Sequence, residues 1–429
     1  MSPLLGLDLG TSSAKAVVTN LDGHLLARGT QTYPIESSQP GWAEQNPERW
    51  WQAVVQAARQ AVSAAGAVEI QAIGLSGQMH GTVLLDRHRR PLGNAITWLD
   101  RRSAAEAAEI VARLGRRRLA RLTGTAPAAG FMGPTLLWLA RHEPQRLESA
   151  IICLLPKDYI RLRLTGTVGT EPTDASGTGL FDIRRRSWAT ELLGQLALPK
   201  DKLPEVRPSA QVAGRISNQV ADELTVPSGT PVAFGCADQV AQAIGNGVFD
   251  PGQASLTVGT GGQLFVATDR PQPDPELRWH AFCHAPNQRW YQLGAMLSAG
   301  LSLRWLGEML GLDPETHGYE RLALLVRETP PAAAGLLFLP YLAGERTPHM
   351  DPRARGAFVG LTLEHGPGHL ARSVMEGVAY ALRQILELLT LSAGQPQRLV
   401  AAGNGLASAT WRQIMADVLG HPLHYVNEP

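Results

Sequence analysis

Near its N-terminus the chain reads Gly6-Leu7-Asp8-Leu9-Gly10-Thr11-Ser12-Ser13-Ala14-Lys15. Apolar runs over residues 4–9 and 14–18 flank a turn of Gly, Thr and Ser, and this pattern predicts the two strands of a β-hairpin. The backbone N–H groups of such small residues can approach a bound anion closely. Asp8 stands at the end of the first strand, and a carboxylate beside a phosphate favours Mg²⁺ between them. The alternative is an ordinary hairpin in which Asp8 only stabilises the turn.

A second copy of this pattern lies in the later half of the chain, over residues 255–266. Its turn reads Gly259-Thr260-Gly261 and stands between two apolar runs. Two such hairpins predict a duplicated architecture, in which each lobe offers one phosphate loop and a nucleotide lies in the cleft between the lobes. Neither copy contains the P-loop pattern G-x-x-x-x-G-K-[ST] or the dinucleotide fingerprint G-x-G-x-x-G.

The composition is that of an ordinary globular protein. The 429 residues suffice for two or more domains, and they are 44% hydrophobic and 18% charged. A formal net charge of +1 and the lack of an aromatic-basic motif argue against nucleic acid or an acidic membrane as a partner. Three cysteines without metal-type spacing suit a reducing cytoplasm. Neither a signal peptide nor a membrane-spanning run is predicted.

Between the two hairpins the pattern predicts strands over residues 25–32 and 70–75, and a helix after Asn46-Pro47. The later strand leads into Ser76-Gly77-Gln78-Met79-His80-Gly81, at the carboxyl end where open α/β sheets place ligand groups. Residues 157–165 predict a helix and residues 174–178 a loop. A strand over residues 232–235 ends in Cys236-Ala237-Asp238-Gln239, which precedes a helix ending near residue 247.

A turn at Asp250-Pro251-Gly252 marks the predicted domain boundary, which gives domains over residues 1–247 and 248–429. In the second domain, helices are predicted over residues 297–310, 369–391 and 411–419. A strand over residues 398–401 meets the turn Ala402-Gly403-Asn404-Gly405.

Taken together, these landmarks resemble the FGGY family of carbohydrate kinases over essentially the whole chain. The motifs that carry the resemblance lie at residues 8–12, 42–51, 77–81, 155–159, 174–178, 282–285, 338–349 and 356–376. Gln78-Met79-His80-Gly81 is the most discriminating of them and is typical of the xylulokinase group, whereas glycerol kinases are expected to carry an Arg-Glu pair in that region. The resemblance implies an α/β fold of two ribonuclease-H-like domains, of the actin and hexokinase type, around a deep cleft.

The implied reaction is phosphorylation of D-xylulose at its 5-hydroxyl, with ATP and Mg²⁺ as cofactors. Asp238 is the candidate general base, since a carboxylate within hydrogen-bond reach helps remove the proton of a sugar hydroxyl. Its alternative is a helix N-cap. Most of the catalysis is expected from positioning and charge neutralisation, as in other phosphoryl transfers. Asp8 is the carboxylate on the Mg²⁺ side.

The remaining candidate residues divide into a sugar set and a nucleotide set. Met79 is expected to pack against sugar carbons and His80 to bond a hydroxyl, although a histidine in a buried loop is without context more often structural. Gln239, Trp98, Asp100 and Asp174 complete the sugar set. The nucleotide set consists of Thr11, Ser12, Ser13 and Lys15 for the first phosphate loop, Gly259, Thr260 and Gly261 for the second, and Gly300, Arg304, Gly403, Asn404, Gly405 and Ser408 for the adenosine side.

The sequence departs from the family pattern at a few positions. Leu99 replaces an Asn after Trp98, and Thr135 replaces a Lys in the first FGGY signature. The catalytic turn reads Ala237-Asp238-Gln239 where xylulokinases commonly have Gly-Asp-Asn, and Asp-Gln there is typical of glycerol kinases. Gly262 stands where the second phosphate loop usually has Ser. These departures leave the residues for phosphoryl transfer unchanged. They make the prediction of which sugar is bound less specific.

The chain also ends earlier than the family pattern, before an expected Ala/Gly-rich helix, so the second domain is predicted to be truncated. Two alternatives therefore stay open. One is a kinase for another polyol or ketose, such as glycerol or ribulose, which Gln239 favours. The other is a sugar or nucleotide sensor of the same fold with little turnover. A homodimer is the default expectation for the oligomeric state.

Overall fold

The computed structural model describes residues 3–66, 69–312 and 318–426. The chain forms two compact units, an N-terminal unit of Met1–Ala241 with Phe282–Gln288, and a C-terminal unit of Gln242–Ala281 with Arg289–Pro429. The boundary predicted between residues 247 and 248 stays a prediction beside this division. No helix in the described ranges is both long enough and apolar enough to cross a membrane.

The strands of the N-terminal unit are short apart from those that open the chain. Their bounds are β1 Leu4–Leu9, β2 Ser13–Thr19, β3 Leu25–Thr32, β4 Glu44–Gln45, β5 Ala72–Gly77, β6 Val83–Leu85, β7 Ala95–Ile96, β8 Ile152–Leu154, β9 Phe181–Asp182, β10 Ser187–Trp188, β11 Val212–Arg215, β12 Pro231–Ala233 and β13 Cys236–Ala237.

The main sheet of this unit runs in the order β11-β12-β5-β1-β2-β3, and β13 also pairs with β5. The strands β1, β2 and β3 form an antiparallel meander, as the hairpin pattern predicts. β5 then adds parallel to β1, and β12 and β13 add parallel to β5. In β1, alternate residues are buried, which is the period expected of a strand with one face on the core.

Helices stand between many of these strands in the chain. Their bounds are α1 Pro47–Ala64, α2 Ala104–Leu114, α3 Arg116–Thr123, α4 Met132–His142, α5 Pro144–Ser149, α6 Pro156–Thr165, α7 Pro172–Ser176, α8 Thr190–Gln195, α9 Asn218–Leu224 and α10 Asp238–Gly245, of which α10 begins in this unit and ends in the C-terminal unit. The side chain of Asn46 caps α1 by accepting a hydrogen bond from the Glu48 amide, and Pro47 occupies the first turn. The buried face of α1 carries Trp50, which is fully enclosed in the core.

The C-terminal unit repeats the same kind of architecture. Its strands are β14 Gln253–Val258, β15 Gly262–Thr268, β16 His280–Cys283, β17 Trp290–Met296, β18 Leu337–Leu339, β19 Ala357–Val359, β20 Arg398–Ala402 and β21 Leu423–Tyr425. Its helices are α11 Gly300–Met309, α12 Gly318–Glu328, α13 Pro367–Ala393 and α14 Ala409–Leu419.

The strand pairings show that the two units share one topology. In the C-terminal unit the sheet order is β16-β17-β15-β14-β20-β21. β14, β15 and β17 form an antiparallel meander, β20 is parallel to β14, and β21 is parallel to β20. The meander β1-β2-β3 and the parallel strands β5 and β12 have the same arrangement in the N-terminal unit. The duplicated α/β fold expected from the two hairpins is therefore confirmed.

Local bounds differ from the sequence-based expectations by a few residues at several places. The strand expected over residues 70–75 is β5, Ala72–Gly77, because its pairing with β1 runs from Ala72 to Gly77. The loop expected over residues 174–178 overlaps the short helix α7, since the Glu171 side chain caps that helix and Pro172 opens it. The helix expected over residues 297–310 begins only at Gly300.

Candidate active site

Three neighbouring parallel strands of the N-terminal unit end at the same edge of its sheet. Asp8 of β1 is in register with Ser76 of β5, and Ser76 is in register with Cys236 of β13. The segments that follow these strands are the Gly-Thr-Ser turn, the Met79-His80 pair and the Asp238-Gln239 pair. The edge therefore collects the candidate phosphate, sugar and base residues of this unit, as expected at the carboxyl ends of parallel strands.

Asp8 is half-buried and interacts directly with its neighbour on β5. The Ser76 hydroxyl donates a hydrogen bond to Oδ1 of Asp8 over 2.7 Å. This bond fixes the carboxylate of Asp8 at the strand edge rather than within the turn. The sequence pattern predicts no separate role for Ser76, because the residue that it bonds lies 68 positions away in the chain.

Asp238 is the first residue of α10 and is partly exposed at the same edge. Its Oδ1 accepts a hydrogen bond of 2.7 Å from the backbone N–H of Gln239. Burial and, to a smaller extent, the nearby charge of Asp8 raise the pKa of Asp238 to about 7, while the hydrogen bond from the Gln239 amide lowers it. A carboxyl that titrates near neutral pH can accept a proton during the reaction, which is what a general base requires.

The first turn is held in place by contacts from distant parts of the unit. The Gly10 amide donates to the Ser13 carbonyl over 3.0 Å, and the Tyr33 hydroxyl donates to the Gly10 carbonyl. The Thr11 hydroxyl accepts from the Trp98 indole N–H at 3.0 Å. Ser12 and Lys15 are exposed. The structure thus brings Trp98 to the phosphate loop, although the sequence placed it with the sugar residues.

A buried glutamine connects this turn to the sugar segment. Gln45 donates from Nε2 to the Thr11 carbonyl over 2.7 Å. Its Oε1 accepts from the indole N–H of Trp50 at 3.1 Å and from Nε2 of Gln78 at 3.0 Å. Gln78 immediately precedes Met79, so one amide side chain ties the phosphate turn to the sugar segment. No local pattern predicts this link, because Gln45 lies 33 residues from Gln78.

The Met79-His80 pair is packed by residues that sequence reasoning did not assign. Met79 is buried, and His80 has a left-handed backbone with φ of 74°. The His80 ring donates from Nδ1 to the Gly177 carbonyl at 2.5 Å. The same ring stacks on Phe131, with centroids 3.8 Å apart and an interplanar angle of 5°. These contacts fix both the ring orientation and the proton on Nδ1.

Two predicted sugar residues have mainly structural contacts. Asp100 is only 1% exposed, and its Oδ1 accepts from the backbone N–H and from Nε of Arg102, both at 2.9 Å. Its Oδ2 accepts from the Ala43 amide at 2.7 Å. Asp174 has no exposed surface, and its Oδ2 lies 3.3 Å from Nζ of Lys157. Their sugar-binding roles stay predictions, and these contacts do not favour them.

The second phosphate loop belongs to the C-terminal unit and is built differently. The Gly259 amide donates to the Gly261 carbonyl over 2.9 Å, which closes the turn between β14 and β15. The N-terminus of α11 packs directly on this turn. The amides of Ala299 and Leu301 donate to the Thr260 carbonyl, both at 3.0 Å, and the Gly300 amide donates to the Gly259 carbonyl at 2.9 Å.

The candidate adenosine residues of the C-terminal unit follow strands beside this loop. β14 and β20 are parallel neighbours, so Gly259 and Gly403 follow them at the same edge of the sheet. Asn404 and Gly405 lie in a short 3₁₀ turn, and the Ser408 side chain caps α14 by accepting from the Trp411 amide at 3.4 Å. Arg304 is exposed on α11. The ends of β14 and β20 therefore place the second phosphate loop and Gly403 at one edge, and the adenosine-binding roles of these residues stay predictions.

Comparison with known proteins gives the same pattern of two domains. Residues 4–245 match the N-terminal domain of the FGGY family of carbohydrate kinases, and residues 254–428 match the C-terminal domain of that family. The chain belongs to the FGGY family of carbohydrate kinases. The recognition made from the spaced motifs is confirmed, and the chain is a carbohydrate kinase.

This FGGY kinase has similar relatives among curated and solved proteins. A xylulose kinase from Escherichia coli K12 is 38% identical over 421 residues, which cover 98% of this chain and 86% of the relative. A gluconokinase from Bacillus subtilis strain 168 is 30% identical, with 97% of this chain and 83% of the relative covered. The crystal structure of xylulose kinase from Rhodospirillum rubrum has a TM-score of 0.92 and 31% identity, and covers 99% of this chain and 86% of that one.

The protein groups around Asp8 are suited to a metal ion that arrives with the nucleotide. Among residues 3–66, 69–312 and 318–426, no group of three or more His, Cys, Asp or Glu side chains could hold a metal. Mg²⁺ is usually bound through one or two carboxylates, water and substrate phosphates rather than by an all-protein cage. The single carboxylate of Asp8, oriented by Ser76, fits that donor set.

Proposed function

We propose that this FGGY kinase transfers the γ-phosphoryl group of ATP to the 5-hydroxyl of D-xylulose. The observation that carries the proposal is the sheet edge shared by Asp8, Met79-His80 and Asp238, where the pKa of Asp238 is raised to about 7. The similarity to enzymes named xylulose kinase supports the choice of sugar.

Asp238 acts as the general base in this proposal. As the hydroxyl oxygen forms its bond to the γ-phosphorus, the hydroxyl proton passes to a carboxylate oxygen of Asp238. The bond from the γ-phosphorus to its bridging oxygen breaks, and the electron pair leaves with ADP. Asp238 then releases the proton to solvent. Its raised pKa makes it a better proton acceptor than an ordinary aspartate.

His80 and Met79 hold the sugar beside Asp238. Nδ1 of His80 donates to the Gly177 carbonyl, which fixes the orientation of the ring, and the imidazole is proposed to bond a sugar hydroxyl. Met79 supplies an apolar surface for carbon atoms. Gln239, half-buried next to Asp238, can both donate and accept bonds to neighbouring hydroxyls.

The phosphates of ATP are proposed to bind the two Gly-Thr turns. Thr11, Ser12, Ser13 and Lys15 offer hydroxyl, amide and ammonium donors in the N-terminal unit. Thr260 with Gly259 and Gly261 offers donors in the C-terminal unit. Mg²⁺ held by the phosphates and by Asp8 would neutralise charge that develops on the transferred group. A homodimer and a cytoplasmic location stay predictions.

A second candidate is a kinase for a different sugar or polyol. Gln239 and Leu99 depart from the xylulokinase pattern, and one relative is named gluconokinase. A sensor with little turnover is the candidate of another class. The base and the phosphate loops are common to both kinase hypotheses, so only the sugar preference separates them.

The test is ADP release with Mg-ATP across D-xylulose, D-ribulose, L-ribulose, D-gluconate, glycerol and no sugar. It is run on this chain and on the Asp238→Ala variant. We expect the highest kcat/KM on D-xylulose, and a loss of about 10²–10⁴-fold in the variant, since one general base contributes that much. A peak on another compound would move the substrate and keep the mechanism. No turnover with any compound would favour the sensor.

A further inference from the structure

Five ionisable side chains of the N-terminal unit are completely buried next to the strand that leads to Asp238. They are Lys157, Asp158 and Arg161 on α6, and Glu171 and Asp174 at α7, and each has 0% exposed surface. We call them the buried ion cluster. It contains three carboxyl groups and two cations, so it is not balanced in charge unless one carboxyl keeps its proton. Burial raises the pKa of Asp174 well above its usual value, against the opposing charge of Lys157.

Lys157 is the centre of the cluster. Its Nζ lies 2.9 Å from Oδ1 of Asp158, 3.3 Å from Oδ2 of Asp174 and 3.7 Å from Oε1 of Glu171. Its Nζ also donates to the backbone carbonyl of Phe234 over 3.2 Å. The ammonium group thus has a contact outside the cluster, on the chain segment between β12 and β13.

That segment contains an irregularity in the sheet. Val232 pairs with Ile73 and Cys236 pairs with Ser76, so four residue steps on this side face three steps on β5. One residue is therefore extra, as in a β-bulge. Gly235 has a φ of 83°, and a Cβ atom there would lie 2.1 Å from the Leu75 carbonyl oxygen. The bulge sets the direction in which the chain enters α10 at Asp238.

The cluster also holds the chain on the other side of the bulge. The Ala237 amide donates to the Thr173 hydroxyl over 2.8 Å. That hydroxyl donates in turn to Oε1 of Glu171 over 2.7 Å. The Ala237 amide is one residue before Asp238, so its partner fixes the backbone from which the catalytic carboxylate extends.

Burying so many charges is not an efficient way to stabilise a fold. Desolvation of each ion carries a large free-energy cost, and apolar residues of similar volume often stabilise a fold as well or better. The hydrogen bonds to the Phe234 carbonyl and the Ala237 amide instead fix the backbone geometry of the bulge. Such a constraint is useful where a bulge stands beside a reacting group.

We propose that Lys157 and Thr173 are positioning residues for Asp238, which hold the Phe234 carbonyl and the Ala237 amide on the two sides of the Gly235 bulge. This inference rests on the proposed function, in which Asp238 is the base. Neither residue touches the sugar in this proposal. They act through the backbone that carries Asp238.

The test compares Thr173→Val with Thr173→Ser. Valine has nearly the shape of threonine but cannot accept the Ala237 hydrogen bond, whereas serine can. We expect Thr173→Val to lower kcat about 10- to 100-fold, as a small misplacement of a reacting group does. The KM for ATP should stay within about threefold, since the phosphate loops are unaltered. Thr173→Ser should restore kcat to within about threefold of the wild-type value.

A matched control separates positioning from general loss of stability. Thr123 is also fully buried, and its hydroxyl lies 3.0 Å from the carbonyl oxygens of Leu119 and Thr125 at the end of α3. Thr123→Val removes a buried hydroxyl away from Asp238. We expect it to lower the melting temperature without lowering the kcat of the folded enzyme.

Hydrogen exchange gives a readout that needs no activity. In peptides covering residues 234–239, we expect amide exchange about tenfold faster in Thr173→Val, and unchanged in Thr173→Ser and Thr123→Val. An inactive wild-type enzyme would overturn the proposed function. The exchange result would still test whether Thr173 holds the Ala237 amide. A folded Thr173→Val variant with wild-type kcat and wild-type exchange would overturn the inference.

Discussion

The two Gly-Thr hairpins have the same topology and different chemistry. In the N-terminal unit, the end of β1 and the start of its turn read Asp8-Leu9-Gly10-Thr11. In the C-terminal unit, the end of β14 and the start of its turn read Thr257-Val258-Gly259-Thr260. The position of Asp8 is therefore taken by a threonine in the second hairpin. Asp8 accepts from Ser76 of the neighbouring parallel strand, whereas Thr257 donates to the Gln242 side chain at 3.1 Å.

The supports of the two turns differ as well. Side chains from distant segments, those of Tyr33, Gln45 and Trp98, hold the first turn. Backbone amides at the N-terminus of α11 hold the second. Duplication thus supplied two similar scaffolds, and the acidic residues proposed for metal binding and proton transfer lie together in only the first of them.

Among variants of the two hairpins, the largest effect is expected from the loss of the Asp8 charge. Asp8→Asn keeps the shape of the side chain and removes its charge, so Mg-ATP loses a carboxylate partner. We expect kcat to fall about 10²–10³-fold, comparable with the loss of a residue that stabilises developing charge. The matched variant Thr257→Val should stay within about threefold.

ADP release over a range of Mg²⁺ concentrations measures both variants, with melting temperature as the control for folding. An Asp8→Asn enzyme with wild-type kcat and Mg²⁺ dependence would remove the chemical distinction between the hairpins.

The next prediction concerns pH and the acidic pair of the first unit. The pKa of Asp238 is raised from 3.8 to about 7 by burial and by Asp8, so the base is protonated below neutral pH. We expect kcat/KM to fall about tenfold per pH unit below pH 7 and to level off above it. Rates on D-xylulose from pH 5.5 to 8.5 measure this, and a flat profile would contradict it.

The same shift has a consequence for stability with a definite sign. A carboxyl whose pKa is higher in the folded than in the unfolded chain binds more protons when folded, between pH 3.8 and about 7. Folding therefore becomes less favourable as pH rises through that window. We expect Asp238→Asn to melt at a higher temperature than the wild type at pH 8, and at nearly the same temperature at pH 4. A lower melting temperature for Asp238→Asn than for the wild type at pH 8 would contradict this stability effect of Asp238.

The smallest effect should come from the way each turn is packed. A Cβ atom at Gly300 would lie 2.3 Å from the Gly259 carbonyl oxygen, whereas at Gly10 the nearest atom is the Ser13 carbonyl oxygen at 3.1 Å. Gly300→Ala must therefore displace α11 or the second turn. We expect its KM for ATP to rise about tenfold and its stability to fall by about 1–3 kcal/mol.

Gly10→Ala, with more room, should change the KM for ATP by less than about threefold. Initial rates at varied ATP and thermal melts compare the two glycine variants. Equal effects at both positions would show that the packing difference between the turns does not matter for nucleotide binding.

Local pattern was enough to predict much of the fold and part of the site. Both hairpins, the capped helix α1 and the strand before Met79 follow from residue periodicity and turn chemistry, which act over a few residues. The position of Asp238 after a short buried strand follows from the same signals. The start of α7 was missed because the Glu171 side chain, rather than a turn residue, caps it.

The roles of individual acidic residues could not be predicted in this way. The immediate sequence neighbours of Asp8, Asp100, Asp174 and Asp238 do not show what each carboxylate contacts. The structure places Asp100 against Arg102, Asp174 against Lys157, and Asp238 near Asp8. Whether a carboxylate binds a cation of the protein or stays available depends on which distant side chain is buried beside it.

The sequence by itself determined the duplicated α/β architecture, the two Gly-Thr turns and the strand ends that carry Asp8, Met79-His80 and Asp238. It could do so because strands, turns and caps are set by residues close together in the chain. Only the tertiary structure decided that Gln45 links two of these segments and that Thr173 and Lys157 hold the bulge before Asp238. Those bonds join residues 33 to 77 positions apart, and they exist only after the sheet has brought the strands together.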